Sequence, residues 1–196
     1  LGVARGIDEK RLLEQGKTFR KLNSQYKGFR ILAGAEINIL SDGTLDISDK
    51  VLKELDWLVA SIHTGFQQGK ERITQRILQA MKNRYVKAIG HPTGRLLGER
   101  DAYELDWEAI FKAAKQTGTA LEVNAYPQRL DINDTACRRA KEHGVKVVIC
   151  TDAHTTDQLA YMALGVSVAR RGWLEPTHVL NTLPVERFLE AAEKTW

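Results

Sequence analysis

A chain of 196 residues, 43% apolar and 28% charged, is long enough for one well-buried domain or at most two small ones, with the composition of an ordinary globular protein. It has no apolar run long enough to span a bilayer, no signal-peptide pattern at its start and no disulfide framework. Cys137 and Cys150 are therefore expected as small core residues in a reducing cytoplasm. The net charge of +4 leans toward an anionic partner without identifying one.

Asp8 can cap a helix running to about Tyr26, where Leu12, Phe19, Leu22 and Tyr26 form one stripe and Gly28 stops it. Phe29 to Ile39 reads as an apolar strand with one anomaly, Glu36. Ser41-Asp42-Gly43 turns the chain, and a short helix from about Ser48 to Leu55 leads to a strand from Trp57 to His63. A helix over Glu71 to Lys82 follows, then a strand from Val86 to His91 that Pro92 ends, and a helix over Asp106 to Gln116. Thr119 to Asn124 makes a fourth strand, Asn133 or Asp134 caps a helix ending near His143-Gly144, and Val145 to Thr151 is the fifth strand. Beyond it the pattern predicts a helix near Asp157 to Leu164, a short strand at Val166 to Ala169, and helices at Pro176 to Leu180 and Val185 to Lys194. Alternating strands and helices with short connections predict a parallel α/β architecture, a barrel or part of one.

The stretch Val145 to His154 carries the chemistry most openly. Its β-branched first half has the composition of a doubly buried strand, and it ends on Asp152 and His154. Were the segment extended, those side chains at i and i+2 would point to one side just past a strand's carboxyl end, where parallel α/β proteins bind ligands. Glu36, His63 and His91 lie near the carboxyl ends of three other predicted strands. Alone, Glu36 would read as a paired core carboxylate and either histidine as a hydrogen-bonded core group. Together the five form a nitrogen and oxygen donor set suited to zinc, manganese or iron. His143 and His178 fall in or beside helices and read as surface groups. Arg95, Arg129 and the Arg170-Arg171 pair fall in loops after strands, where they could grip phosphate or be merely solvated. There is no phosphate-binding or dinucleotide glycine loop and no nucleophile elbow.

The chain resembles the PHP (polymerase and histidinol phosphatase) superfamily, and more narrowly the carboxy-terminal PHP domain of bacterial and archaeal family X DNA polymerases. The segments that carry the resemblance are Ile31-Leu-Ala-Gly-Ala-Glu-Ile37, Ala60-Ser-Ile-His-Thr-Gly-Phe66 and Gly90-His-Pro-Thr-Gly-Arg-Leu-Leu-Gly98. They continue with Leu121-Glu-Val-Asn124, Arg129-Leu-Asp131, Thr151-Asp-Ala-His-Thr-Thr-Asp-Gln158 and Ala169-Arg-Arg-Gly-Trp-Leu174. The likeness covers essentially the whole chain, as a single PHP domain over 1–196.

What the resemblance implies is a distorted (β/α)7 TIM-like barrel holding up to three divalent ions, with manganese favoured and zinc or iron as alternatives. The implied activity is a phosphoesterase that removes nucleotides and phosphates from DNA 3′ ends by metal-activated water. It implies Glu36 bridging two ions, His63 and His91 on one of them, Asp152 and His154 completing the cluster, and Arg95, Arg129 and Arg171 holding the DNA backbone. Polymerase domains upstream are the implied partners. The family's opening strands, with a His-x-His and an Asp-His motif, are not in this sequence, and Leu1 to Gly6 resembles the segment just after them. The chain therefore reads as starting inside the domain, with two strands and about three histidine ligands missing and with strand edges exposed. A free-standing phosphatase on small phosphomonoesters such as histidinol phosphate, or a non-catalytic interaction module, are the other readings.

Overall fold

The computed structural model describes residues 7–193. The Leu1 to Gly6 segment and the end of the last predicted helix at Lys194 lie outside them. Helix α1 (Glu9–Asn23) starts where Asp8 accepts the Arg11 amide proton at 2.8 Å. Strand β1 (Gly34–Asn38) is much shorter than the apolar run that announces it. The reason is local: the Asn23 amide takes both backbone groups of Ile31, and Phe29 stands 66% exposed with no strand beside it. Then follow α2 (Asp49–Leu52), β2 (Trp57–Ser61), α3 (Lys70–Met81), β3 (Ala88–Ile89), α4 (Trp107–Thr117), β4 (Ala120–Asn124), α5 (Asp134–Glu142) and β5 (Val147–Cys150). The closing elements are α6 (Met162–Arg171) and α7 (Val185–Ala191), with one 3-10 turn before α6 and two between the helices.

All five strands are parallel and lie in sequence order, β1-β2-β3-β4-β5, so each helix between them returns the chain to the same end of the sheet. Strand alternation sorts the residues onto two faces. One face carries Ile37, Leu58, Ala60, Ile89, Leu121, Val123, Val147 and Ile149, which join Ile73, Ile77 and Phe111 in the main core. Full burial of each large side chain there contributes roughly 1.5–3 kcal/mol. The other face carries a smaller plug of Ala88, Ala120 and Val148 with Trp57, Val59 and Cys150. Leu180 and Phe188 of α7 close it, the Phe188 ring lying 4.5 Å from Trp57 between centroids. Above that plug, on the same face toward the strands' carboxyl ends, the residues turn polar.

The short strand expected at Val166 to Ala169 does not exist; those residues belong to α6, and Arg170-Arg171 end that helix instead of lying in a loop. Packing overrides the β-branched composition. At Gly165 an added Cβ would collide with Ile149 and come within 2.8 Å of Ala125, so the glycine lets the helix lie directly on β4 and β5.

The two edges of the sheet differ. Outside β5, Val179 forms a parallel bridge with Val147, and the Asn181 amide donates to the Ile149 carbonyl and accepts its N–H at 2.8 and 3.1 Å. Outside β1, Asp46 occupies the backbone of Asn38, and no strand pairs with this edge among the described residues. The five strands are not closed into a barrel among the described residues.

Candidate metal centre

Glu36 shares the inner face with Val59, its register partner, and reaches the mouth of the sheet. His63, just past β2, has Nε2 at 3.2 Å from Glu36 Oε1, and His91, just past β3, has Nε2 at 2.8 Å from the same oxygen. The three donors lie within 4.8 Å of one another, the spacing of ligands around one ion. By alternation from Ile89, His91 would point into the apolar core. A left-handed backbone at His91, φ 26°, turns the ring back toward Glu36. Gly90 makes room beneath it: an added Cβ would strike Ser61 Oγ and lie 2.7 Å from Val59.

The surroundings fix how these groups can bind. Asn38 donates through its side-chain nitrogen to Asp46, so its Oδ1 faces His63 Nδ1, at 2.7 Å, as an acceptor. His63 therefore keeps a proton on Nδ1, and Nε2 is the ring atom it turns toward Glu36 and could offer to an ion. Burial opposes a charged carboxylate at Glu36, yet the bonds from His63 and His91 and the charge of His91 hold its pKa far below the usual range. Burial likewise opposes a charged His91, and the bond and charge of Glu36 outweigh it and raise that pKa.

The β4 and β5 side is built differently. Glu122 and Asn124 interrupt β4 on the inner face and are both buried. Glu122 Oε2 accepts the His91 backbone N–H at 2.6 Å and the Asn124 side-chain nitrogen at 3.3 Å. Burial pushes the Glu122 carboxyl up to about 7. The Asn124 nitrogen also reaches Asp152 Oδ2 at 3.1 Å, and Arg129 Nε lies 3.5 Å from that same oxygen.

The expected convergence of Asp152 and His154 from an extended segment is not kept. Asp152 takes a left-handed φ of 54°, and the exposed His154 ring bonds through Nδ1 to the Asp152 carbonyl at 2.7 Å, leaving Nε2 outward. Neither belongs to the group of donors within 4.8 Å.

The arginines divide as well. Arg95 donates to the Arg129 carbonyl at 2.7 Å and to the Leu130 carbonyl, tying two loops together. Arg129 is mostly buried beside Asp152. Arg171 is 76% exposed and pairs with Asp134 at the start of α5.

Arg76, almost wholly buried, was not flagged by the sequence. It donates to the Ile39, Leu40 and Thr64 carbonyls and to Gln68 at 2.6–2.9 Å, so one guanidinium clamps the loops after β1 and β2. Its position among Ile73, Ile77 and Ala80, inside an apolar stripe, was the available signal. For Glu122 and Asn124 it was polar residues at i and i+2 in a buried strand, the anomaly that exposed Glu36.

The donor set fits a divalent ion, and so does the placement of unmet polar atoms. Ser61 Oγ, His91 Nδ1, Arg129 Nη1 and Asp131 Oδ1 are the buried side-chain atoms without a partner among the described residues. All four belong to strands or loops at this end of the sheet. Folded chains rarely leave such atoms unpaired except where a ligand, ion or water is handled.

Fold and site together define an α/β protein with a candidate cation centre at the carboxyl end of a parallel sheet. The chain is 46% identical over 193 residues to the DNA polymerase/3′-5′ exonuclease PolX of Bacillus subtilis, a match covering 97% of this chain and 34% of that protein. It is 33% identical over 171 residues to probable phosphatases of Thermoanaerobacter sp. (strain X514) and Thermoanaerobacter pseudethanolicus, covering 82% of this chain and 67% of each. No protein-family model matches. The chain belongs to the PHP family, as a PHP domain of the kind carried by family X DNA polymerases. It spans about a third of the length of the Bacillus polymerase it matches.

Proposed function

We propose that this chain is a divalent-metal phosphoesterase that shortens DNA from 3′ ends, working beside polymerase domains in a cytoplasmic protein. The observation that carries the reading is the meeting of Glu36, His63 and His91 with the His63 proton already committed to Asn38. Glu36 would serve as the shared carboxylate of the centre, with His63 and His91 on one ion and Asp152 and His154 as the further ligands. When bound, such ions activate water and stabilise charge on the leaving oxygen, and manganese suits this mixture of imidazole and carboxylate, with zinc or iron as alternatives.

The protein's own residues bind and orient. Glu36 and Asp152 supply negative charge that draws cations to the mouth. Arg129 stands beside Asp152, where it can take a phosphate oxygen and neutralise the substrate. Arg95 steadies the loop that carries Arg129, and Arg171 offers a further, outlying contact. A distorted (β/α)7 barrel of up to three ions is the complete form of this site, and the unpaired edge of β1 is where additional strands would join.

Purified chain is given Mn²⁺ and either 3′-labelled single-stranded DNA or histidinol phosphate. Shortening of the DNA at a rate well above phosphate release from histidinol phosphate is the expected result. The reverse preference would favour a free-standing phosphomonoesterase, the reading that the likeness to probable phosphatases supports. Mn²⁺-independent rates would remove the metal from the reading, and no turnover of either substrate would remove the phosphoesterase.

A further inference from the structure

We infer that Glu122 and Asn124 are positioning residues that join the two halves of the centre, so that His91 and Asp152 are set at one fixed separation by a shared buried frame. The inference rests on the metal-centre reading above and extends it to two residues that touch no substrate. Both residues they hold have left-handed backbones, His91 at φ 26° and Asp152 at φ 54°. Neither is glycine, so each conformation is costly and persists only where neighbours over-determine it. The neighbours are common to both. Glu122 Oε2 takes the His91 peptide N–H at 2.6 Å and the Asn124 side chain at 3.3 Å, while the same Asn124 nitrogen holds Asp152 at 3.1 Å.

Asn124 is itself fixed at the other end, its Oδ1 accepting the Tyr126 N–H at 3.0 Å and its backbone pairing with Asp131 in both directions. Its side chain therefore cannot flip without losing bonds on both sides. A donor between two carboxylates is also the only neutral way to keep Glu122 and Asp152 close; a carboxylate in its place would repel both. The frame lies on the inner face of a central strand, 1–5% exposed, so its geometry does not depend on surface loops.

Two variants separate the frame's arms. Glu122→Met removes the acceptor of both bonds at similar length; Asn124→Ala spares the His91 peptide bond while releasing Asp152, together with the bonds to Glu122 and the Tyr126 N–H. Calorimetric titration with Mn²⁺ should show E122M binding at least tenfold more weakly, as supporting partners of metal ligands typically cost 10–100-fold. E122Q, whose amide oxygen can take the same two bonds, should recover most of that loss. N124A should keep the tightest ion within threefold, while kcat on 3′-labelled DNA falls at least tenfold and KM moves less than twofold.

Folded E122M and N124A, judged by circular dichroism, that bind Mn²⁺ and turn over as the parent does would overturn the frame. If E122M does not fold, N124A decides alone. A parent chain that binds no Mn²⁺ refutes the metal reading instead. The frame is then judged in metal-free protein by imidazole ¹⁵N signals, where the His91 ring must shift in E122M, or in its absence the Asp152 carboxyl ¹³C signal in N124A; an unmoved signal rejects it.

Discussion

On the β1–β3 side of the mouth Glu36, His63 and His91 face one another across 2.8–3.2 Å, whereas on the β4–β5 side Asp152 meets an arginine and an amide. The first side is supported from behind its donor atoms: the Asn38 amide oxygen takes His63 Nδ1, and the Arg76 guanidinium ties the loops after β1 and β2. The second side has its carboxylate already engaged. On the proposed reading, a cation would meet an assembled half-site first, and Asp152 would have to exchange its contacts with Arg129 and Asn124 to join it. Preorganisation and exchange then have different sensitivities to mutation.

The largest expected effect is therefore at Glu36. Glu36→Gln should remove Mn²⁺ binding and lower phosphoesterase activity about 10³-fold or more in a chain that still folds by circular dichroism. Asp152→Asn should cost about 10²-fold and leave one ion bound. Calorimetry and a DNA-end assay check both, and a greater loss at Asp152 would reverse the ranking of the two halves.

Next in size is the clamp. Arg76→Met strands three backbone carbonyls and the Gln68 amide and should destabilise the fold by about 3 kcal/mol in urea melts. Part of the first side's preparation should go with it, seen as weaker Mn²⁺ binding by whatever fraction remains folded.

A pH series sharpens the frame between the halves in metal-free protein. Glu122 is raised from 4.5 to about 7 by burial, so the folded chain favours its protonated form. The stability it contributes is complete below about 4.5 and is lost as pH rises through 7, on the order of 3 kcal/mol at most. Glu36, held low, acts oppositely: its contribution is present above 4.5 and is lost as pH falls below it. Chemical denaturation across pH 4 to 8 should show E122Q with a flatter profile than the parent; identical slopes would mean that Glu122 does not titrate in this window.

The smallest effect is expected at Arg171. It is exposed and paired with Asp134 on the surface, so Arg171→Ala should change stability by less than about 0.5 kcal/mol. It should also raise KM for DNA less than Arg129→Ala does, as measured in parallel steady-state assays.

Much of this was legible before any coordinates. Every strand was found, because short β-branched runs between helical periodicities leave few alternatives, and Glu36 stood out as a charge in such a run. Three of the five proposed ligands meet where strand ends meet. The failures have definite causes. The apparent strand at Val166 was decided by Gly165 allowing close packing, a long-range contact that no local propensity records. Asp152 and His154 stand outside the group of Glu36, His63 and His91, and one left-handed residue ends the alternation from which their convergence is argued. Arg76 was passed over because a charge on a helix is normally solvated, although its place in the apolar stripe pointed inward.

The Asn181 amide outside β5 also bears on how copies of the molecule can associate. By donating and accepting as a peptide group would, it terminates hydrogen bonding along that rim, whereas β1, engaged by Asp46 only at Asn38, has no strand beside it among the described residues. A fibril needs two receptive rims on every subunit, and the described residues offer at most one. Copies of the described fold that stick through their sheets can couple rim to rim as pairs, and the process ends there.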